Sequence, residues 1–397
     1  MFLLKIVEIS IFGYFFYVST YNFILSIAGC FQVRKKEPEN KKVNKIGILI
    51  PAYKEDNVIL YTAEAATKQN FPSEFFEVIV IADSLRSDTL AKLKRLPVKI
   101  IEVSFAQSTK VKSLRSAFNY TQNIFDFIVI LDADNLMHKN FLEEANKAYN
   151  AGEKIVQGRR IAKNQDSAMA VLDDLSEQIN NHINRKGSNN LRWSSSIAGS
   201  GFFIDQKIGF DLFNSINSVG GLDKDLELAL LGQNIKTKYY ESMIIYDEKV
   251  GSSSTFKNQR KRWISSQYNC LKNYFGKGVY ELLFKFNISY FNSAILRNIQ
   301  LPRLLNLGIF SCVCILVLHF KSMLEIHFLY WLFLYWLFLC SFFISIPGYH
   351  YNRRTLISIL KIPEVFLTML LLLFKLKGAN KTYIHTPHTI NELSENE

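Results

Sequence analysis

Apolar residues crowd the two ends of this chain and thin out between them. Residues 2–31 carry only Lys5 and Glu8 as charges, and residues 304–376 are mostly Leu, Phe, Ile and Trp. A helix needs roughly 20 apolar residues to cross ~30 Å of hydrocarbon. The ends therefore read as membrane helices, and residues 32–300 as a non-membrane domain between the first span and the rest. Leu304–His319 and Ile326–Ile346 read as spans joined by a short loop around Lys321. The stretch Ile357–Phe374 contains Lys361, Pro363 and Glu364, leaving only Val365–Phe374 uncharged. That remainder is too short to cross at about 1.5 Å per residue. Either the charged turn sits at the interface and the helix spans, or the segment is re-entrant.

Part of the formal charge of +12 lies beside these segments. Arg34, Lys35, Lys36, Lys41, Lys42 and Lys45 follow the first one. The positive-inside rule then puts the central domain in the cytosol and the N-terminus outside. Arg353 and Arg354, then Lys375, Lys377 and Lys381, favour a cytosolic tail. The expected location is a cell (inner or plasma) membrane, multi-pass, with membrane lipid as a neighbour. A basic excess also suits nucleic acid, but no recognition motif accompanies it, so no nucleic acid is expected. Cys30, Cys270, Cys312, Cys314 and Cys340 lack zinc-ligand spacing and read as reduced packing residues. Ile27-Ala28-Gly29-Cys30 resembles a lipoprotein cleavage box, which would export the domain. The basic cluster after it and the later spans argue against that.

The central region alternates in the α/β manner. Strands are expected at Ile46–Ile50, Val78–Ile81, Val98–Val103, Phe127–Leu131 and Ile155–Gln157. Helices are expected between them at Asn57–Gln69, Ser87–Arg95 and Lys112–Asn123. Such alternation predicts a mostly parallel, nucleotide-binding sheet. Residues 264–300 mix Tyr and Phe with Lys and Arg, which suits helices lying in the membrane interface or an ordinary amphipathic subdomain.

Several motifs sit where chemistry is expected in such a sheet. The run Phe127–Leu131 ends in Asp132-Ala133-Asp134. Two acids past a strand's carboxyl end suit a hard cation and the phosphates it carries, though a plain acidic turn also accounts for them. Tyr53 and Glu55 follow the first strand, and Asp83 ends the second. Asp83 reads equally as a helix cap. Lys110 stands at a helix start, where a lysine opposes the dipole unless an anion is bound. Gly199-Ser200-Gly201 permits close approach of backbone to a ligand. Asp223-Lys224-Asp225 opens a helix with acids, as capping or as a catalytic base. Gln259-Arg260-Lys261-Arg262-Trp263 combines phosphate-binding guanidiniums with a ring suited to sugar; a juxtamembrane basic patch reads the same way.

In combination these residues resemble the membrane-bound family 2 glycosyltransferases, the group that includes hyaluronan, chitin and cellulose synthases. The likeness covers about residues 45–265 and rests on the order PAYKE, Asp83, Lys110, LDADN, GSGFF, KDLEL and QRKRW. It implies a Rossmann-like GT-A domain with a mostly parallel mixed sheet, plus transmembrane and interfacial helices. The implied organisation is an N-terminal span (1–31), a cytosolic catalytic domain (45–265), interfacial helices (266–303), a membrane region (304–376) and a tail (377–397).

The resemblance implies that Tyr53, Glu55 and Asp83 line the nucleoside pocket. Lys110 would contact the diphosphate, Asp132 the donor, and Asp134 an Mg²⁺ or Mn²⁺ ion. Asp225 would be the base, Gln259, Arg260 and Arg262 would steady the leaving pyrophosphate, and Trp263 would seat the acceptor sugar. Gly199, Ser200 and Gly201 would form the acceptor loop. The partners implied are a nucleotide sugar, in UDP form, and a glycan or lipid-linked acceptor, with polysaccharide export proteins beyond. The reaction would be inverting transfer onto a growing β-linked glycan. Transfer of one sugar to a lipid-linked acceptor is the other enzymatic reading, and a catalytically silent glycan-binding scaffold the non-enzymatic one. Two departures stand out: Lys224 replaces the usual acid of Thr-Glu-Asp, and Thr109 replaces the glycine before Lys110. The tail Lys381–Thr389 resembles a C-terminal motif of some relatives.

Overall fold

The computed structural model describes residues 2–32, 41–218, 221–251 and 253–375. Arg34, Lys35, Lys36, Lys377 and the tail motif Lys381–Thr389 lie outside the described residues.

Eight strands form one sheet: β1 Ile46–Tyr53, β2 Phe76–Asp83, β3 Lys99–Val103, β4 Phe127–Ile130, β5 Leu136–Met137, β6 Ile155–Ala162, β7 Phe202–Asp205 and β8 Lys238–Asp247, in the order β3-β2-β1-β4-β7-β6-β8-β5. The β1–β2, β1–β4, β2–β3 and β6–β8 pairs are parallel; β7 runs antiparallel to both β4 and β6. Successive side chains on a strand point to opposite faces. Ile46, Ile48 and Ile50 thus enter one core with Val78, Val80 and Val129, while Leu49 enters the other with Ile79, Ile81 and Ile128. Helices cover both faces, which is why β1, β2 and β4 read as unbroken apolar runs. The five expected strands are present. β5, β7 and β8 were not expected: β5 is two residues long, β7 is four residues long and follows a glycine turn, and β8 interleaves Tyr239, Met243 and Ile245 with exposed Glu241.

Among the described residues two helices are long and apolar enough to cross a membrane, Phe2–Cys30 and Phe328–Ser345. They pack on each other through Phe12 and Trp331, with ring centroids 5.0 Å apart. Buried Glu8 accepts the backbone N–H groups of Glu325 and Ile326 at 3.0 and 2.8 Å, closing the turn before the second helix. The expected span at 304–319 is the 17-residue helix Arg303–His319, which meets Ile288–Ile299 at 55° across Pro302. The stretch 357–374 is also bent, by 44° between Arg353–Ile359 and Ile362–Leu373. The expected boundary at 265/266 falls inside one 33-residue helix, Ser253–Lys285. Of the aromatics beyond it, Tyr280, Phe284 and Phe286 are exposed but Tyr290 is fully buried.

Candidate active site

β1 and β2 end side by side, with Tyr53 paired to Asp83 in register. Both chains then turn through left-handed residues, Lys54 and Ser84, each at φ 57°. Lys54 donates its N–H to the Asp83 carbonyl at 3.1 Å, which bends the chain away and leaves Tyr53 and Asp83 at the rim. Such backbone costs on the order of 1–3 kcal/mol per residue and persists where the surroundings enforce it. Asp83 is 1% exposed; its Oδ1 accepts from Ser84 Oγ at 3.0 Å, and its Oδ2 is buried with no hydrogen-bond partner among the described residues. A buried acceptor left without a partner is uncommon in a folded protein.

β4 ends one strand away, just before Asp132-Ala133-Asp134. Its antiparallel partner β7 delivers Gly199-Ser200-Gly201 to the same tip, where the Gly201 N–H bonds the Ile130 carbonyl at 2.7 Å. Gly201 has φ +64°, and a Cβ there would sit 1.4 Å from Ile245 Cδ1, so only glycine fits. Ser200 is fully buried beneath the turn. Its Oγ accepts the Asp132 N–H at 2.9 Å and donates to Asn135 Oδ1 at 2.6 Å. Lys110, first residue of the helix Lys110–Tyr120, donates to Asp132 Oδ1 and to the Gly199 carbonyl at 2.7 Å. Tyr53, Glu55, Asp83, Lys110, Asp132 and Asp134 all line one pocket of about 160 Å³.

That pocket shares Thr109 and Lys110 with a central cavity of about 540 Å³. Gly199, Arg160, Asp223, Lys224, Arg262 and Trp263 are among its walls. Asp223 and Asp225 lie in the first turn of the helix Leu222–Gly232. Two residues apart means about 200° around a helix, so they face opposite ways. Asp223 faces the cavity. Asp225 is absent from the lining and accepts the Tyr274 hydroxyl at 3.0 Å. Burial, then the Asp225 charge, pushes the Tyr274 phenol up.

The Gln259–Trp263 motif is likewise divided by helical geometry. Arg262 and Trp263 line the central cavity. Arg260 turns aside to an ion pair with Asp173, its guanidinium 4.3 Å from the Trp263 ring centroid. Gln259 lines neither the pocket nor the cavity.

Asp223 belongs to the acidic motif but is not the aspartate the resemblance selects, and two further residues of the site carried no signal in the motifs. Arg160 is on β6, where it donates to Asp247 Oδ2 at 2.5 Å and to the Ala198 carbonyl at 3.2 Å. Burial pulls its pKa down, but Asp247, Glu177, Asp132 and Asp134 outweigh that and raise it. Lys163 lies just past β6 and donates to the Asp134 carbonyl at 3.1 Å. Burial holds its ammonium below the usual lysine range, with Asp134 opposing.

Among the described residues no group of three or more His, Cys, Asp or Glu side chains forms a metal cage. Magnesium-type ions are commonly held by one or two carboxylates plus substrate phosphates. Asp132 and Asp134, beside Lys110, are a donor set that fits a cation arriving with a diphosphate.

The family model described as "Glycosyltransferase like family 2" matches residues 44–266. No curated protein sequence matches this chain. Among solved structures, the mannosyltransferase PcManGT from Pyrobaculum calidifontis, in complex with GDP-Man and Mn²⁺, is 11% identical with TM-score 0.54, covering 86% of this chain and 97% of that one. At this identity the likeness establishes the GT-A fold and nothing of the substrate. S. aureus TarS (residues 1–349) is 14% identical with TM-score 0.38, over 57% and 65% of the two chains. Glucosyl-3-phosphoglycerate synthase from Mycobacterium tuberculosis, with Mn²⁺, UDP-glucose and phosphoglyceric acid, is 13% identical with TM-score 0.41, over 56% and 78%.

Proposed function

This chain belongs to the family 2 glycosyltransferases, and from that premise we propose that it transfers a sugar, with inversion, from a nucleotide sugar to an acceptor presented at the membrane face. One observation carries the reading: the pocket that gathers Tyr53, Asp83, Lys110, Asp132 and Asp134 shares Lys110 with the cavity that holds Asp223, Arg262 and Trp263. A donor seated in the first would present its reacting carbon toward the second.

In this reading Tyr53, Glu55 and Asp83 hold the nucleoside, and the orphaned Asp83 Oδ2 accepts a base N–H. Lys110 contacts the diphosphate in place of its present bond to Asp132. Asp132 and Asp134 hold Mg²⁺ or Mn²⁺, which when bound neutralises charge on the diphosphate. Ser200 and its glycines set the position of that aspartate turn. A carboxylate at the start of the Leu222–Gly232 helix takes the proton of the acceptor hydroxyl as its oxygen bonds the anomeric carbon and the nucleotide departs with the electron pair. The motif selects Asp225 for this role; cavity geometry supports Asp223, and we assign it there. Arg262 steadies the leaving group, Trp263 seats the acceptor, and Arg260 holds Trp263 in place.

The domain faces the cytosol, where nucleotide sugars are available, and the product is a β-linked glycan of the envelope or exterior. Transfer of one sugar to a lipid-linked acceptor is the second reading, supported by the two helices apolar enough to cross a membrane, Phe2–Cys30 and Phe328–Ser345. A panel of UDP- and GDP-sugars with Mn²⁺ or Mg²⁺, followed by mass analysis, tests both. A ladder of lengths means elongation and a single adduct means one transfer. No nucleotide release from any donor sinks the proposal.

A further inference from the structure

Behind Trp263 the central cavity adjoins a smaller one of about 210 Å³, and Asn180, Asn184, Trp263, Gln267 and Arg297 line both. Tyr21 and Asn22 of the first apolar helix, the start of the helix Arg303–His319, and Val365 and Met369 are among its walls. Among the described residues three arginines line it, Arg260, Arg297 and Arg303, and no acid does. Two are neutralised, Arg260 by Asp173 and Arg297 by Glu227. Arg303 is different: among the described residues it makes one hydrogen bond, from Nη1 to Asn180 Oδ1 at 2.8 Å, and no ion pair. Glu177, the carboxylate that acts on it, already accepts Arg185 Nη1 at 2.8 Å.

A half-buried guanidinium without a counter-charge is costly, and ionisable groups among apolar helices mark ligand sites. Arg303 also opens the helix Arg303–His319, which no side chain caps, so the positive end of that helix faces the same space. The opposite walls are hydrocarbon: Leu172, Phe256, Leu304, Val365 and Met369. A bare glycan would satisfy neither the charge nor these walls. An anion carried on a hydrocarbon chain satisfies both.

Resting on the transfer reading above, we infer that this cavity is an acceptor subsite for a phosphate or diphosphate ester on a lipid chain, with Arg303 as its anion-binding residue. The ester group would sit on Arg303 and its chain against Val365 and Met369. A sugar carried by it would extend past Trp263 toward Asp223.

The test is equilibrium binding of radiolabelled dodecyl phosphate to the full chain in neutral-detergent micelles without divalent metal. In the wild type, dodecanol and inorganic phosphate should each compete at least about tenfold more weakly than unlabelled dodecyl phosphate, because each offers only half of the recognition. Arg303→Gln should weaken dodecyl phosphate binding by about tenfold or more, and Arg303→Lys should restore most of it. UDP and GDP binding with Mn²⁺ should stay unchanged in both variants, which reports an intact domain. Equal competition by dodecanol would reduce the cavity to an apolar groove, and equal competition by inorganic phosphate would make it a site for a free anion; either overturns the inference. Wild-type binding by Arg303→Gln would place the ester elsewhere. The competition series uses only the wild type, so a variant that fails to fold leaves it decisive. Turnover of a nucleotide sugar without dodecyl phosphate binding overturns the subsite alone. Binding without turnover of any donor overturns the transfer reading alone.

Discussion

Tyr274 donates its hydroxyl to Asp225 Oδ1 at 3.0 Å, on the side of the Leu222–Gly232 helix away from the cavity that Asp223 lines. The two aspartates therefore separate cleanly by mutation. Asp223→Asn should lower kcat for nucleotide release in the presence of acceptor by about 10²–10⁴-fold, the usual contribution of a positioned base. Asp225→Asn and Tyr274→Phe should stay within about tenfold of wild type, since they remove a hydrogen bond outside the cavity. The reverse ranking returns the base to Asp225 and refutes its assignment to Asp223.

The ion pair between Lys110 and Asp132 has to open for a diphosphate to bind in the proposed manner. Chelation by EDTA should abolish nucleotide release, and Mn²⁺ or Mg²⁺ should restore it. Asp134→Asn should raise the Mn²⁺ concentration needed for half-maximal release by about tenfold or more, because one of two carboxylate ligands loses its charge. Lys110→Met should raise KM for the donor more than it lowers kcat, as expected of a contact formed already in the ground state. Undiminished release in EDTA would remove the metal from the reading.

Arg260 and Arg262 share one motif but sit in different surroundings. Arg260 is paired with Asp173 and stacked near Trp263, with both charged side chains nearly buried. Arg260→Gln and Asp173→Asn should each destabilise the fold by about 3 kcal/mol, and the double variant by clearly less than the sum, since each single change strands a buried charge. Arg262→Gln, at a residue that lines the central cavity, should lower kcat. A strictly additive double variant would mean the pair contributes nothing as a pair.

The parts of this chain that were legible in advance are those where local pattern and tertiary surroundings agree. β1, β2 and β4 are buried on both faces, so their unbroken apolar runs ending in Tyr53, Asp83 and Asp132 marked both the strands and the rim of the site. β8 was missed because its buried Tyr239, Met243 and Ile245 are interleaved with exposed Glu241 and half-buried neighbours, and β7 because Phe202–Asp205 follows a turn whose glycines suggested a loop. Within the site, motif order identified which segments meet but not which side chain faces inward. That is set by helical phase: Asp223 rather than Asp225, and Arg262 rather than Arg260, reach the central cavity. Arg303 gave no signal, because its lack of a carboxylate partner among the described residues is a property of the packed helices around it.

Asp205 joins β7 to the helix Gln206–Ser215 and does so through both oxygens. Oδ1 accepts the N–H groups of Lys207 and Ile208 at 3.1 and 3.3 Å, and Oδ2 accepts from Lys154 at 2.9 Å and the Tyr149 hydroxyl at 3.0 Å. Burial alone would raise its pKa, but Lys154 and the helix N–H groups outweigh this and hold it below the usual carboxylate range. Asp205→Ala should therefore cost about 1–2 kcal/mol at neutral pH through the lost cap. A carboxylate depressed in the folded state contributes stability that is present above its unfolded pKa of about 3.9 and disappears as pH falls through the folded value. The gap between wild type and Asp205→Ala should thus hold steady from neutral pH down to about pH 5 and close below about pH 4. At the alkaline end the sign reverses. Burial and then Asp205 push the Tyr149 phenol up, so its contribution is full below its unfolded pKa of about 10 and fades above it. Removing Asp205 relieves the second of these, so the gap should also narrow above about pH 10. Chemical unfolding of the full chain across pH checks both ends; a gap independent of pH would mean that Asp205 acts as an uncharged cap.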